Sequence, residues 1–271
     1  MQITANNRHI GYNTFGDGPQ TLVLLHALPL NKDMWRPQAE ALARDGGLRV
    51  VTPDFRGCGE SAVAPGPTVV EDMAGDTFGL LDVLNVDDFI LCGLSMGGYV
   101  AFRMLTMAPQ RIKGLILADT RPGADSPEAR ANREATAVYV EQHGPAALID
   151  RDAAKYFAPD TPVKRPQVVD EARRIAALNS DIGVAAISRG LGLRPDSTDL
   201  LGRIRCPTLV LAGEQDAIIP RADTEAMQRG IPTSELRLIP GAGHLSNLEQ
   251  PDAFTRHLGQ FLGTLRAPAH A

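Results

Sequence analysis

The sequence is poor in cysteine, and the few cysteines form no recognisable metal or disulfide pattern. Cys58, Cys92 and Cys206 are the only three among 271 residues, an odd number with no zinc-type spacing. Cys92 falls in an apolar run and Cys206 precedes a predicted strand, so we expect both in the core. Cys58 falls in a loop and is a candidate for exposure. So little cysteine is typical of a reducing compartment, and we expect a cytoplasmic protein.

Runs of basic residues and long apolar segments are also missing. The chain has 27 Lys and Arg against 32 Asp and Glu, and its net charge is −5. We expect no nucleic-acid partner and no anionic membrane surface, because both favour clustered positive charge. No apolar run approaches the roughly 18 residues of a membrane span. Residues 1–10 are polar and mixed, without the pattern of a signal peptide.

Glycine-rich fingerprints of nucleotide cofactors are absent as well. Residues 57–59 are too few for a Rossmann or P-loop motif. We therefore expect neither an organic cofactor nor a metal. The composition, with 44% hydrophobic and 22% charged residues, is that of an ordinary globular protein. The length suits one large domain, or one domain with an inserted subdomain.

The chain does contain a regular alternation of strand-like and helix-like segments. Alternating residues around Asn6-Asn7 predict a hairpin, and six apolar runs predict buried strands at residues 21–26, 48–53, 89–92, 112–118, 208–212 and 234–239. Helical periods separate these runs, at residues 34–44, 69–84, 99–107, 222–229 and 251–265. This order predicts an α/β protein with a doubly wound, mostly parallel sheet of eight strands. Sites in such sheets lie at the carboxyl ends of the strands.

Residues 121–201 break this alternation. They contain no strand-like run, and proline punctuates helical segments predicted at residues 126–143, 145–157, 163–180 and 182–191. We expect residues 1–120 and 202–271 to form the sheet domain. Residues 121–201 then form a helical cap, inserted after strand 6, that covers the strand ends and selects the substrate. Residues 266–271 are expected to be a mobile tail.

The stretch Gly93-Leu94-Ser95-Met96-Gly97 places a serine between a predicted strand and a predicted helix. This arrangement is typical of a nucleophile elbow, in which a strained backbone projects the serine hydroxyl above the sheet. Glycine is needed at Gly93 and Gly97 because strand and helix nearly touch there. The first N–H groups of the helix can receive a developing negative charge. Ser95 is therefore the predicted nucleophile.

A serine hydroxyl needs a base to remove its proton, and the base needs an acid to orient it. On a sheet of this topology the chain order is serine, acid, histidine. His244 follows the last predicted strand in a glycine-rich turn, and Asp216 follows the strand before it. We predict His244 as the base and Asp216 as the acid. Glu214 and Asp119 also follow strands and are the alternative acids.

Several motifs together carry a resemblance to a known family. They are His26-Ala27-Leu28-Pro29, Asp54-Phe55-Arg56-Gly57-Cys58-Gly59-Glu60-Ser61, Gly93-Leu94-Ser95-Met96-Gly97-Gly98, and the segments at residues 213–216 and 241–244. Over nearly its full length the chain resembles the serine hydrolase branch of the α/β-hydrolase fold superfamily. Within that superfamily it is most similar to small capped esterases and 3-oxoadipate enol-lactonase-like proteins.

The resemblance implies further site residues. The backbone N–H groups of Met96 and Leu28 are expected to form the oxyanion hole, and His26 is expected to be structural. Ala27 stands where the family usually has glycine. Its Cβ is therefore expected to displace the loop that carries Leu28.

Apolar residues near the predicted site indicate a small, largely uncharged ester or lactone as the substrate. Trp35 and Leu245 are candidate substrate contacts. Arg121 and Arg56 are candidates to pair with a substrate carboxylate, as an enol-lactone requires. We expect the chain to act as a monomer or a homodimer.

The predicted reaction is cleavage of a carboxylic ester or lactone through an acyl-enzyme. The alternatives on the same residues are an enol-lactone hydrolase of aromatic catabolism, a perhydrolase, and a thioester or amide hydrolase. Two other classes also remain open, namely a small-molecule receptor and a non-hydrolytic lyase. The resemblance argues against dehalogenases and epoxide hydrolases, which use an aspartate nucleophile where this chain has Ser95.

Overall fold

The computed structural model describes residues 1–266, and its centre is one sheet of eight strands. The strands are β1 (Gln2–Ala5), β2 (Arg8–Phe15), β3 (Gln20–Leu25), β4 (Leu48–Pro53), β5 (Phe89–Leu94), β6 (Ile112–Ala118), β7 (Thr208–Gly213) and β8 (Ser234–Ile239). They lie in the order β1-β2-β4-β3-β5-β6-β7-β8. β1 and β2 pair antiparallel, as do β2 and β4, and all other pairs are parallel. The predicted fold class is confirmed.

The strand order places a switch point beside β3. From β3 the chain moves to β4 on one side, and later returns through β5 to the other side. Loops that leave β3 and β5 therefore diverge and open a crevice at their carboxyl ends. Leu28 follows β3, and Ser95 follows β5.

Two apolar cores lie on opposite faces of the sheet, because successive side chains of a strand point to opposite sides. Val23 and Leu25 pack in one core, and Leu22 and Leu24 pack in the other. Central strands covered on both faces read as continuous apolar runs, which is why the sequence predicts them.

Helices flank both cores. Outside the segment between β6 and β7 they are α1 (Arg36–Ala43), α2 (Val70–Val83), α3 (Met96–Met107), α10 (Arg221–Gly230), α11 (Ser246–Glu249) and α12 (Pro251–Arg266). Residues of α2 and α3 pack in the core of Val23, and residues of α1 and α12 pack in the core of Leu22. The short α11 was not predicted. No helix in the described part of the chain is long and apolar enough to cross a membrane.

A hairpin was predicted at the start of the chain and a mobile tail at its end. The hairpin turn between β1 and β2 holds Asn6 and Asn7 at φ of 51° and 59°. Asparagine tolerates this left-handed region in two-residue hairpin turns, so the predicted hairpin is confirmed. The predicted tail at residues 266–271 falls mostly outside the described residues, since α12 extends to Arg266.

Between β6 and β7 the chain forms only helices and turns. The helices are α4 (Pro127–His143), α5 (Pro145–Arg151), α6 (Ala153–Tyr156), α7 (Thr161–Lys164), α8 (Pro166–Ala176) and α9 (Asp181–Leu191). We call residues 121–201 the helical insertion. The single helix predicted at residues 163–180 is wrong, because Pro166 starts a new helix and holds Arg165 in a non-helical conformation.

Cys58 was a candidate for exposure, but its side chain is fully buried. The loop after β4 folds inward around the Asp54 carboxylate, which accepts hydrogen bonds from the backbone N–H groups of Lys32 and Glu60 at 2.9 Å each. The Lys32 ammonium lies 2.6 Å from the same carboxylate. Burial raises the pKa of the Cys58 thiol well above its ordinary value, so the thiol is protonated at neutral pH.

Candidate active site

Ser95 sits between β5 and α3 in a strained conformation, with φ 52° and ψ −111°. This region is unfavourable for a residue with a side chain and persists only where neighbours hold it. The Ser95 N–H donates to the Ala118 carbonyl at 2.9 Å, and the Thr120 hydroxyl donates to the Ser95 carbonyl at 2.8 Å. The turn is therefore held by the end of β6 and by the loop that follows it, and Ser95 remains partly accessible.

The two elbow glycines are required by contact. A Cβ on Gly93 would lie 2.2 Å from the Gly97 carbonyl oxygen. A Cβ on Gly97 would lie 2.2 Å from the Leu25 carbonyl oxygen. Both neighbours are backbone atoms of the central sheet or of the helix that leaves it. The strand and helix can approach this closely only when both positions are glycine.

The structure brings Ser95, His244 and Asp216 together into a chain of two hydrogen bonds. Ser95 Oγ lies 2.8 Å from His244 Nε2, and His244 Nδ1 lies 2.9 Å from Asp216 Oδ2. The side chains of His244 and Asp216 are each only 2% exposed. The tautomer that satisfies both bonds carries its proton on Nδ1, so Nε2 is free to accept the serine proton.

The Asp216 carboxylate is held by its own loop. Asp216 Oδ1 accepts hydrogen bonds from the N–H groups of Ile218 and Ile219, at 2.8 and 3.0 Å. Its other oxygen, Oδ2, accepts the hydrogen bond from His244 Nδ1. The loops that carry Asp216 and His244 also touch, since a Cβ on Gly213 would lie 2.0 Å from the Gly243 carbonyl oxygen.

The alternative acids make different contacts. Glu214 is exposed, and none of its hydrogen bonds in the described structure involves His244. Asp119 is fully buried and accepts hydrogen bonds from the Gly213 N–H at 2.7 Å and the Ser246 hydroxyl at 2.5 Å. Burial and the nearby Asp216 carboxylate raise the pKa of Asp119 well above its ordinary value. Asp119 thus joins Gly213, in the strand before Asp216, to Ser246, just after His244, and none of its hydrogen bonds within residues 1–266 involves the imidazole.

His26 joins the loop after β3 to the loop after β4. Its Nε2 accepts the Phe55 N–H at 3.0 Å, and its Nδ1 lies 3.1 Å from the Ala27 carbonyl, to which it donates. Burial lowers the pKa of His26 from 6.5 to about 4, so the ring is neutral. These contacts agree with a structural position for His26.

The predicted oxyanion donors flank the crevice. Met96 is the first residue of α3, where the backbone N–H has no acceptor within the helix. Leu28 lies in the loop after β3, and its N–H has no hydrogen-bond partner within residues 1–266. The Ala27 methyl is fully buried and packs in the same core as Leu30 and Met34.

The other predicted substrate contacts are packed or paired within the protein. Trp35 is fully buried, and its ring centroid lies 5.7 Å from that of Phe254 in the core. Leu245 is fully buried in the same core. Their observed contacts are those of packing residues. Arg56 forms an ion pair with Asp76 at 2.7 Å, so it is not free to bind a substrate carboxylate.

Arg121 lies at the start of the helical insertion. Its side chain is 28% exposed and lies 3.6 Å from Asp125 and 3.7 Å from Asp223. It lines a cavity of about 330 Å³ together with Asp223 and Met227, and neither Ser95 nor His244 borders that cavity. Its position therefore gives no support to a role in holding the substrate at Ser95.

Two tyrosines, Tyr99 and Tyr156, lie close to Ser95 or His244 and are not among the predicted site residues. Tyr99 lies one helical turn after Ser95, and its N–H is 3.3 Å from the Ser95 carbonyl. The Tyr156 ring centroid lies 6.4 Å from the His244 ring. Tyr99 could have been found from the sequence, because residues four apart lie on the same face of a helix and Tyr99 follows Ser95 by four residues. Nothing local to the sequence indicates Tyr156, because the helical insertion brings it there.

Comparisons with known proteins agree with this architecture. A family model described as the alpha/beta hydrolase fold matches residues 20–251. The 3-oxoadipate enol-lactonase 2 of Acinetobacter baylyi is 32% identical over 253 residues, which are 93% of this chain and 92% of that protein.

Solved structures are similar over almost the whole chain. An esterase from Thermogutta terrifontis, solved with malate bound, has a TM-score of 0.93 and 39% identity, and covers 98% of this chain and 99% of its own. The enol-lactonase from Burkholderia xenovorans has a TM-score of 0.89 and 28% identity, and covers 97% of this chain and 100% of its own.

Proposed function

Because this chain belongs to the α/β-hydrolase fold family, we propose that it is a carboxylic ester hydrolase that uses Ser95 as its nucleophile. The relatives are named as esterases and enol-lactonases, and both names point to hydrolysis of an ester or lactone. The observation that carries the proposal is the pair of hydrogen bonds from Ser95 to His244 and from His244 to Asp216.

The geometry supports acyl transfer in two half-reactions, acylation of Ser95 and hydrolysis of the acyl-enzyme. His244 Nε2 takes the Ser95 proton as Oγ attacks the carbonyl carbon, and the protonated imidazole then gives this proton to the leaving alcohol. Asp216 keeps the imidazole in the required tautomer and stabilises its positive charge. A water molecule, deprotonated by His244, then releases the acid and regenerates Ser95.

The oxyanion formed during each half-reaction requires hydrogen-bond donors. We propose the backbone N–H groups of Met96 and Leu28, which lie on either side of the crevice and have no hydrogen-bond acceptor within residues 1–266. Loss of one such donor typically lowers kcat about 10²- to 10³-fold.

Enol-lactone hydrolysis is the second candidate, and the relative of 32% identity named as an enol-lactonase favours it. In a lactone, the alcohol stays tethered to the acyl-enzyme after ring opening, so the same residues serve both reactions. A screen of lactones against linear esters separates the two. No feature of the structure specifically favours a perhydrolase, a receptor or a lyase.

The nucleophile is tested by p-nitrophenyl ester hydrolysis and by labelling with a fluorophosphonate. The wild type should hydrolyse a short-chain ester and bind the probe covalently, whereas Ser95→Ala should lose both, with kcat reduced roughly 10⁶-fold. Ser126→Ala, which removes the N-cap of α4 and a surface hydrogen bond to Glu128, is the matched control and should retain both. Equal turnover by wild type and Ser95→Ala would show that the proposed function is wrong.

The acid is tested by two isosteric changes. Asp216→Asn should lower kcat about 10⁴-fold, because the amide cannot hold the same imidazole tautomer. Asp119→Asn should lower kcat less than about tenfold. Asp119 makes no hydrogen bond to the imidazole within residues 1–266, and an amide at this position can still accept from the Gly213 N–H and donate to the Ser246 hydroxyl. If Asp119→Asn lowers kcat more than Asp216→Asn does, the acid of the triad is Asp119 and not Asp216.

A further inference from the structure

One buried amide of the helical insertion contacts two loops at the carboxyl end of the sheet. Asn179 follows α8 and is 8% exposed. Its Nδ2 donates to the Pro29 carbonyl at 2.6 Å, and its Oδ1 accepts from the Gly59 N–H at 2.7 Å and from Asn31 Nδ2 at 3.1 Å. Pro29 and Asn31 belong to the loop after β3, and Gly59 belongs to the loop after β4. A single side chain thus ties the insertion to the loop that carries Leu28.

The Asn179 side chain has to donate and accept hydrogen bonds at the same time. The Pro29 carbonyl can only accept a hydrogen bond, and the Gly59 N–H can only donate one. These two partners fix the orientation of the amide, with Nδ2 on Pro29 and Oδ1 on Gly59. A carboxylate at this position could satisfy Gly59 but not Pro29, and an apolar side chain could satisfy neither. The amide of asparagine meets both requirements.

The segment that follows Asn179 is held against the loop after β4 by direct backbone packing. The helix α9 begins two residues later, and a Cβ on its Gly183 would lie 2.5 Å from the Gly57 Cα. Further along the same helix, the Ala186 carbonyl accepts the Thr68 N–H at 3.0 Å. Backbones packed this closely leave little room for adjustment. Asn179 therefore reaches the Pro29 carbonyl from a fixed position.

The direction of the Leu28 N–H is set by the peptide that it shares with the Ala27 carbonyl. In a planar trans peptide the C=O and N–H bonds point in opposite directions. The Ala27 carbonyl accepts hydrogen bonds from the Leu30 N–H at 2.9 Å and from His26 Nδ1 at 3.1 Å. The Leu28 N–H therefore points away from both of these donors.

The bond from Leu30 to Ala27 closes a turn whose two corner residues are Leu28 and Pro29. His26 and Leu30 hold this turn at the Ala27 carbonyl. The Pro29 carbonyl accepts a hydrogen bond from Asn179 and from no other group within residues 1–266. The turn is therefore held on one side by the sheet and its loops, and on the other side by the helical insertion.

We propose that Asn179 is a positioning residue for ester or lactone hydrolysis, which holds the Leu28 N–H where the oxyanion forms. It acts through the Pro29 carbonyl. Such placement matters because an oxyanion hole stabilises the transition state only when its donors are already oriented before the reaction. The helical insertion then contributes to catalysis itself, besides its expected part in selecting the substrate. The inference rests on the proposed function.

Two substitutions remove the bond to Pro29 in different ways. Asn179→Leu is similar in size and makes none of the three hydrogen bonds, whereas Asn179→Asp keeps the two that Oδ1 accepts. Both should lower kcat for p-nitrophenyl butyrate about 10- to 100-fold, less than or equal to the loss of a whole donor. KM should change less than about threefold, because an oxyanion donor acts in the transition state.

Asn132→Asp is the matched control, because Asn132 lies on α4 of the same insertion and is exposed. It introduces the same charge as Asn179→Asp without touching the loop after β3. Its kcat and KM should equal those of the wild type.

A transition-state analogue shows whether the loss arises in the oxyanion hole. In butyl trifluoromethyl ketone the carbonyl carbon bonds to Ser95 Oγ, the serine proton passes to His244, and the ketone oxygen becomes the oxyanion. Its inhibition constant should rise in both Asn179 variants by the factor by which kcat/KM falls, and should not change in Asn132→Asp.

The pH dependence of kcat/KM shows whether the triad itself is disturbed. Asn179→Leu should keep the wild-type midpoint, which reports the pKa of His244 in the free enzyme, to within about 0.3 pH unit. Asn179→Asp should keep it as well if the lost bond to Pro29 causes its defect. A carboxylate that acted through its charge alone would instead raise the midpoint.

The outcomes separate this inference from the proposed function. A kcat within about threefold of the wild type in both Asn179 variants would overturn the inference and leave the hydrolase intact. A lower kcat with unchanged affinity for the ketone, or with a shifted midpoint, would overturn it too. No hydrolysis by the wild type, together with no labelling of Ser95, would instead refute the proposed function. If Asn179→Leu does not fold, the same three measurements on Asn179→Asp decide the question.

Discussion

At the scale of single residues, His26 shows how a buried histidine links two loops. Both ring nitrogens have backbone partners, the Phe55 N–H and the Ala27 carbonyl. The ring also packs against Phe55 with a centroid distance of 4.6 Å. A protonated ring would have to give up the bond from the Phe55 N–H, because Nε2 could no longer accept it. The neutral imidazole is therefore part of the folded state.

We expect stability to depend on pH through His26. Its pKa is about 4 in the folded state against an ordinary 6.5, so the unfolded state binds a proton first as the pH falls. The neutral His26 ring therefore contributes about 3 kcal/mol to the unfolding free energy above pH 6.5. This contribution is lost as the pH falls from 6.5 to 4. Urea unfolding at pH 7 and pH 5 should show about 2 kcal/mol of this loss.

His26→Gln is the control for this titration. Its amide can donate to the Ala27 carbonyl and accept from the Phe55 N–H, yet it does not titrate. The difference between wild type and variant isolates His26 from other groups that change charge over this range. If both lose the same unfolding free energy between pH 7 and pH 5, His26 is not the source.

At the scale of elements, the close approach of α3 to the sheet decides where Ser95 lies. The helix begins directly at the strand end, and its first turn lies against the Leu25 carbonyl of β3. No side chain separates helix from strand at Gly97. The position of Ser95 therefore depends on packing between backbones, which cannot adjust as a flexible side chain can.

Gly97→Ala should therefore lower the unfolding free energy by about 3 kcal/mol or more, because its Cβ meets backbone at 2.2 Å. Gly75→Ala is the matched control within α2. A Cβ there meets nothing within 4 Å. This change should raise stability by about 0.5–1 kcal/mol through helix propensity. Urea unfolding measures both, and equal effects would contradict the packing argument.

At the scale of the whole molecule, Glu249 joins the helical insertion to the turn that carries His244. Its side chain is fully buried and accepts hydrogen bonds from the Gly243 N–H at 2.6 Å, the Ala158 N–H at 2.9 Å and the Thr161 hydroxyl at 2.5 Å. Leu245 adds a bond from its N–H to the Tyr156 carbonyl at 3.1 Å. The position of the histidine turn is thus tied to residues 156–161.

Both carboxylate oxygens of Glu249 accept hydrogen bonds, and Glu249→Gln replaces one of them with an NH₂ group that cannot accept. At least one buried donor therefore loses its acceptor. The unfolding free energy should fall by about 1–3 kcal/mol. Proteolysis within the helical insertion should become faster, because the insertion loses an anchor. Urea unfolding and limited proteolysis measure the two effects.

Glu171→Gln is the control for this change. Glu171 lies on α8 and pairs at the surface with Arg174 at 2.8 Å. Such exposed pairs contribute little, so its loss should change stability by less than about 0.5 kcal/mol. Equal effects of the two variants on unfolding and cleavage would argue against Glu249 as an anchor.

The sequence by itself determined the strands, the direction of their pairing and the chain order of Ser95, Asp216 and His244. These features follow from local rules. Continuous apolar runs indicate strands covered on both faces, and an elbow needs glycine on both sides of its serine. The sequence also placed all three side chains at strand ends, which a parallel sheet brings to one edge.

Only the tertiary structure decided which polar side chains meet there. Asp119 and Asp216 both follow strands, yet one contacts Ser246 and the other contacts His244. The sequence could not show that Arg56 is already paired with Asp76, which lies on a different element. Contacts between segments distant in the chain depend on tertiary packing, and no local pattern encodes it.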